Sequence, residues 1–130
     1  MHPDLQHLHE AAQGLLYLSE TDAPLEAFAL ESPDAPPEAA LPPLAGAAPG
    51  SPVERVELAH FFRNQVRTYE GDGPEAVHRA TRFKALQQQL ESTLRDVAVY
   101  RVGSVKVDAF ILGRLPDGSR GGLRTTLVET

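Results

Sequence analysis

The residues best suited to chemistry lie in a polar segment near the start of the chain. Ser19, Glu20 and Asp22 follow a short apolar run, and Pro24 closes the segment. Two neighbouring carboxylates such as Glu20 and Asp22 can act as general acid and general base. No nearby nucleophile or electrophile completes such a site, and these residue types also favour turns and caps. The pattern therefore favours a loop that begins the next segment over a catalytic site.

A second set of anionic groups lies at the other end of the sequence. Glu129 and Thr130 directly follow a segment with the composition of a strand. We expect the strand to hold the terminal carboxylate of Thr130 in place, so that presenting its two oxygens costs little ordering.

Metal-ligating residue types are sparse. His7 and His9 are two positions apart, so a helix would point them to different sides, which makes them poor joint ligands even with His2 nearby. The chain has no cysteine, which excludes a disulfide, a thiol nucleophile and a cysteine-based metal site. We therefore expect no metal of its own and no cofactor.

The distribution of charge along the chain is uneven. Residues 1–60 carry ten acidic residues and one basic residue, whereas residues 61–130 carry eight acidic and eleven basic residues. An acidic half argues against nucleic-acid binding and suits a partner with a basic surface, although it also simply favours solubility. No apolar run reaches the roughly 20 residues that span a bilayer, and residues 1–6 do not resemble a secretory signal. We expect a cytoplasmic protein that binds no membrane.

The elements that must position these residues are clearest in the last third of the chain. Residue types there predict strands over Val97–Val102, Val105–Leu115 and Leu123–Glu129, with a turn at Pro116–Gly118. In the long middle strand, one face carries Val105, Val107, Ala109 and Ile111, and the other carries Lys106, Asp108, Phe110 and Leu112. We therefore expect a sheet that is covered on both faces at its middle and is wet at one end.

Apolar residues at helical spacing predict two long helices, over Pro3–Gln13 and Pro74–Leu94. The second has an apolar stripe that consists of Val77, Ala80, Phe83, Leu86, Leu90 and Leu94, and we expect Arg82 on its wet side. Shorter patterns predict strands at Leu25–Leu30 and Val53–Val56 and a helix that begins at Leu58.

Seven of the eleven prolines lie between Ser32 and Pro52. Because proline lacks the backbone N–H and clashes with the preceding helical turn, this segment should form neither a regular helix nor a central strand. We expect a Pro/Ala-rich surface loop over residues 32–52. We assign residues 1–130 to a single domain, because Leu15–Leu30 needs the later sheet for its burial.

Motifs of known enzyme classes do not occur in the sequence. It contains no P-loop, no dinucleotide-binding glycine pattern, no HExxH and no GxSxG. Gly121-Gly122 in the last hairpin predicts a β-bulge rather than a phosphate site. We expect a protein that is not an enzyme.

Five segments resemble the nuclease A inhibitor family in order and spacing. Gly14–Glu20 resembles its GLL-aromatic-x-SE segment, Phe61-Phe62 its Phe-Phe pair, and Val99–Val105 its VYRLGEV segment. Pro116–Gly118 lies in the same hairpin turn, and Val128–Thr130 is the same ending. The similarity covers nearly the whole chain apart from the proline-rich segment.

The resemblance implies an α/β/α sandwich of the pathogenesis-related-protein-1 type with a largely antiparallel central sheet. It also implies an inhibitor of a sugar-nonspecific, Mg²⁺-dependent DNA/RNA endonuclease of the ββα-metal class. Glu20 and Thr130 correspond to inhibitor residues that reach the catalytic metal region of the nuclease. Carboxylates can occupy such a groove through contacts with Arg, Lys and Mg²⁺, so we expect Asp22 and Glu129 to bind the partner as well.

One segment departs from the family. Where the cyanobacterial inhibitor carries Gln-Asp-Trp, this chain carries Tyr69-Glu70-Gly71. An acid is retained but the indole, a common interface anchor, is missing. We expect Tyr69 and Glu70 to contact the partner, with Tyr69 substituting for the indole or simply packing in its loop.

Two other functions are compatible with the sequence. The same fold could serve as an acidic interaction module for a partner that is not a nuclease. A hydrolase that uses Glu20 and Asp22 with a histidine would require intrinsic turnover or a bound metal.

Overall fold

The computed structural model describes residues 2–32 and 34–129. The helices are α1 (Pro3–Ala12), α2 (Pro37–Leu44), α3 (Leu58–Phe61) and α4 (Pro74–Thr93). The strands are β1 (Leu16–Leu18), β2 (Asp22–Pro24), β3 (Glu26–Leu30), β4 (Val53–Val56), β5 (Arg95–Val102), β6 (Lys106–Arg114) and β7 (Arg120–Val128). The predicted helices and strands are confirmed to within three residues at their ends. The sequence did not predict α2, β1 or β2.

Five strands form an antiparallel sheet in the order β3-β7-β6-β5-β4, and β1 and β2 form a separate hairpin. Strands β5, β6 and β7 are consecutive in the chain and adjacent in the sheet, as hairpin connections favour. The expectation of a mixed α/β fold with an antiparallel sheet is confirmed.

Both faces of the sheet are covered at its middle. On one face, Val107 and Ile111 of β6 pack in a core with residues of α1, α3 and α4. On the other face, Phe110 and Leu112 pack against Leu41 of α2. The predicted alternation along β6 is confirmed, except that Val105 lies before the strand and is exposed.

Helices α1 and α4 are held together by a side chain that was expected to be solvated. Arg82 of α4 donates to the carbonyl oxygens of Ala11 and Gln13, at 3.3 and 2.7 Å. These carbonyls end α1, where a helix has unsatisfied acceptors and favours cations. The assignment of Val77 to the apolar stripe is also wrong, because Val77 is exposed near the N-terminal end of α4.

The prediction of an irregular loop over residues 32–52 is wrong in its middle, where α2 forms. Pro37 occupies the first helical position, which tolerates proline because no N–H is needed there. Pro42 and Pro43 remove two intrahelical hydrogen bonds. The helix nevertheless forms because Leu41 is fully buried against the sheet.

The glycine pair in the last hairpin does not form the expected bulge. Gly121 and Gly122 keep an unbroken register with β6 and are buried. A Cβ on Gly122 would lie 1.8 Å from the carbonyl oxygen of Ile111, so close approach of the two strands explains the glycine. The register shifts instead between Arg95 and Ala98 of β5.

Candidate functional site

A cleft of about 340 Å³ opens where the β1–β2 hairpin meets the ends of β5 and β7. It is lined by Tyr17, Leu18, Ser19, Glu20, Val56, His60, Phe61, Arg63, Asn64, Gln65, Arg101, Leu127, Val128 and Glu129. Two of the predicted partner-binding residues, Glu20 and Glu129, therefore line the same cleft. Their neighbours Ser19 and Val128, which are in contact, are 109 positions apart in the sequence.

The position of Glu20 is set by the turn that joins β1 and β2. The hydroxyl of Ser19 donates to the carbonyl oxygen of Thr21 at 2.9 Å and accepts from the backbone N–H of Val128 at 3.3 Å. The first contact closes the turn, and the second ties the turn to β7. Glu20 is exposed at the tip of this turn, beside the end of β7.

A buried amide fixes the strand that leads into this turn. Gln65 is 4 % exposed and binds both backbone groups of Leu18, accepting from its N–H at 3.1 Å and donating to its C=O at 2.9 Å. The side-chain amide thereby replaces a neighbouring strand for an otherwise unpaired edge. Gln65 follows the Phe61-Phe62 pair at core spacing, which is the sequence signal that could have identified it.

Tyr17 forms the floor of the cleft. Its ring stacks on Phe61 with centroids 4.5 Å apart, and its hydroxyl donates to the carbonyl oxygen of Phe61 at 2.8 Å. Burial raises the pKa of Tyr17 above its ordinary value, and the positive charges of Arg63 and Arg101 oppose that rise. The phenol is therefore neutral at physiological pH and acts in packing.

Glu129 is held in place by an arginine that the sequence did not single out. Arg101 of β5 forms an ion pair with Glu129 and a longer one with Glu54, at 3.8 Å. The backbone N–H of Glu129 also donates to the carbonyl oxygen of Val105 at 2.8 Å. Arg101 therefore orients the Glu129 carboxylate, and its positive charge partly compensates the negative charge of that group.

The remaining predicted partner-binding residues lie elsewhere. Asp22 is exposed on β2, opposite Leu18, and Tyr69 and Glu70 are exposed in the loop before α4. None of these three is among the described residues that line the cleft. Thr130 lies outside the described residues, next to Glu129.

The chemistry available in the cleft is that of charged contacts. Carboxylates of Glu20 and Glu129 and guanidinium groups of Arg63 and Arg101 share one opening. Among the described residues, no group of three or more His, Asp and Glu side chains is arranged to hold a metal. Nor does any helix in residues 2–32 and 34–129 have the length and apolar character to cross a bilayer.

Comparison with known proteins points to one family. The model of the family described as nuclease A inhibitor-like protein, NuiA, matches residues 3–130. A search of curated proteins finds no match. Because the match extends over nearly the whole chain, the protein belongs to the nuclease A inhibitor-like family.

Proposed function

We propose that the protein inhibits a sugar-nonspecific, Mg²⁺-dependent DNA/RNA endonuclease of the ββα-metal class. In this proposal the Glu20 turn and the end of β7 enter the groove of the nuclease together, and the carboxylate of Thr130 accompanies Glu129. Family membership supports a nuclease as the partner. We further propose that residues 1–130 form one domain of the pathogenesis-related α/β/α sandwich type.

The observation that carries the proposal is the hydrogen bond between Ser19 Oγ and the N–H of Val128. It holds the Glu20 turn against the last residues of β7, so both sets of carboxylates can reach one groove. A nuclease groove that binds phosphates is basic and holds a cation. Carboxylates can contact both through charge-assisted hydrogen bonds and metal coordination.

Both acidic side chains are presented by a fixed backbone. Glu129 is oriented by its ion pair with Arg101. Glu20 projects from a turn whose backbone is tied by Ser19 and Gln65, so little ordering cost attaches to its binding. Glu20 and Glu129 are therefore the two anionic side-chain contacts of the proposal.

Tyr69 is proposed as an apolar contact of the same complex, with Glu70 and Asp22 as peripheral charges. Tyr69 is 60 % exposed. Its backbone N–H donates to Asp72 Oδ2 at 2.7 Å, which fixes the backbone of the loop at this residue. A large aromatic group on a fixed loop is typical of an interface anchor. Tyr69→Ala should weaken inhibition, whereas Tyr69→Phe should retain it.

The proposal is tested by titrating the protein, with nothing added after Thr130, into a Mg²⁺-dependent assay of DNA cleavage. We expect stoichiometric loss of nuclease activity. Glu20→Gln should raise the inhibition constant at least about tenfold, since a charge-assisted contact contributes roughly 1.5–3 kcal/mol. Glu91→Gln on α4 removes the same charge from an exposed site outside the cleft and should have no effect.

Two results would contradict the proposal. If Glu20→Gln inhibits as well as the parent protein, the Glu20 turn does not enter the groove. If several nucleases of this class keep full activity, a partner that is not a nuclease becomes the better hypothesis.

A further inference from the structure

Three arginines lie side by side at the end of the sheet that is remote from the candidate cleft. Arg95 of β5 is the register partner of Arg114 of β6, which is in turn the partner of Arg120 of β7. Directly paired residues on antiparallel strands project from the same face of a sheet. With Pro37 and Tyr100 among the other lining residues, these arginines surround a cleft of about 200 Å³, which we call the arginine cleft.

The positive charges of the arginine cleft outnumber its negative charges, since three arginines and one aspartate line it. Like charges on directly opposed strand positions repel each other. Among the described residues, none of the three arginines forms an ion pair, and Asp96 lines the cleft without reaching one of them. A protein with a net charge of −6 thus retains a local concentration of positive charge.

Two of the guanidinium groups are oriented by backbone contacts that leave other donors unused. Arg114 Nη1 donates to the carbonyl oxygen of Gly118 at 2.7 Å, and Arg120 Nη2 donates to those of Ser32 and Ala35. The Nε of Arg120 is buried and has no hydrogen-bond partner among the described residues. The donors available to a ligand are therefore the remaining N–H groups of the three guanidinium groups that line the cleft.

We propose that the arginine cleft binds a small phosphate-class oxyanion, such as inorganic phosphate, pyrophosphate or the terminal phosphates of a nucleotide. The planar guanidinium fork matches phosphate oxygens in pairs, which favours phosphate over a spherical anion such as chloride. An oxyanion would accept from the guanidinium donors that line the cleft and relieve the repulsion between Arg95 and Arg114. Pro37 and Leu112 form apolar walls that reduce screening by water.

The proposal is tested by calorimetric titration with phosphate, pyrophosphate and ADP at low and constant ionic strength. We expect pyrophosphate to bind the parent protein at one site. Arg95→Gln should weaken this binding about tenfold or more, while Arg67→Gln, which removes an equal charge from an exposed loop, should not. Tighter binding of ADP than of pyrophosphate would identify a nucleotide as the ligand, and equal or weaker binding would identify a free phosphate.

A second measurement separates binding from a merely structural role. Because no ion pair of the Arg95 side chain occurs among the described residues, Arg95→Gln without anion should be at least as stable as the parent protein. Pyrophosphate should then raise the melting temperature of the parent more than that of the variant, and should shift the Arg120 Nε–H resonance. Absence of pyrophosphate binding, or equal loss of binding in Arg67→Gln, would overturn the proposal.

Discussion

At the scale of single residues, Gln65 has the largest structural consequence for the candidate cleft. Its amide satisfies both the N–H and the C=O of Leu18, one residue before the turn that carries Glu20. The spacing of Gln65 from Phe61-Phe62 marks it as a core position, but its partner Leu18, 47 positions away, is seen only in the tertiary structure. The same is true of Arg101, which reaches Glu129 from a different strand.

Replacing Gln65 with methionine should lower the free energy of unfolding by about 1–3 kcal/mol. Methionine preserves the size of the side chain but leaves the backbone groups of Leu18 without partners, which is the costly outcome. Denaturant unfolding measures the change. Gln88→Met, an exposed site on α4, serves as the matched control and should have little effect; equal losses in both variants would refute the assigned role.

Tyr17 should make stability depend on pH in the alkaline range. Its folded-state pKa is raised above the ordinary value of 10.0, chiefly by burial, so the folded protein favours the neutral phenol. The associated stability is fully present below pH 10 and is lost as pH rises through the higher folded-state pKa. Unfolding measured from pH 8 upward should show a steeper alkaline decline for the parent than for Tyr17→Phe; identical profiles would contradict this assignment.

At the scale of elements, α2 illustrates how tertiary contacts override local propensity. Pro42 and Pro43 argue against a helix, yet Leu41 is fully buried and the last carbonyl of the helix, that of Leu44, accepts from Arg124 Nη2 at 3.1 Å. Arg124 also stacks over the ring of Phe110, at 4.8 Å from its centroid. The sheet therefore supplies the stabilisation that the helix lacks on its own.

Truncating Leu41 to alanine should destabilise the protein by about 2–5 kcal/mol, the range for deletion of a buried leucine side chain. Leu44→Ala removes the same atoms from a side chain that is 41 % exposed and should cost clearly less. Equilibrium unfolding of both variants tests this. Similar small losses would mean that α2 does not pack on the sheet as described.

The elements that could be predicted from sequence are those with a repeating apolar pattern. Helices α1 and α4 and strands β3 to β7 follow such patterns, which local sequence displays directly. The sequence did not predict the exposure of Val77 or the register shift near Asp96, whose φ is 54°. Both depend on packing against residues that are distant in the sequence. The proximity of Glu20 and Glu129 in one cleft is likewise visible only in the folded structure.

At the scale of the whole molecule, the two ends of β7 lie at different parts of the surface. The end at Val128 borders the candidate cleft, whereas the end at Arg120 borders the arginine cleft. The start of the chain lies at the second end, because His2 Nε2 is 3.2 Å from Asp117 Oδ2 in the turn before β7. Nine strand residues separate the two ends by roughly 30 Å.

This separation predicts that extensions at the two ends of the sequence differ in their effect on inhibition. In the proposed complex, a flexible extension after Thr130 replaces the proposed carboxylate contact by a peptide bond, so it should weaken nuclease inhibition at least about tenfold. The same extension at the start of the chain, where His2 contacts Asp117, should leave inhibition unchanged. Inhibition constants for both proteins, with melting temperatures to verify folding, provide the measurement. Equal inhibition by both would show that the end of β7 stays outside the nuclease groove, because added chain there could not otherwise be accommodated without loss of contact.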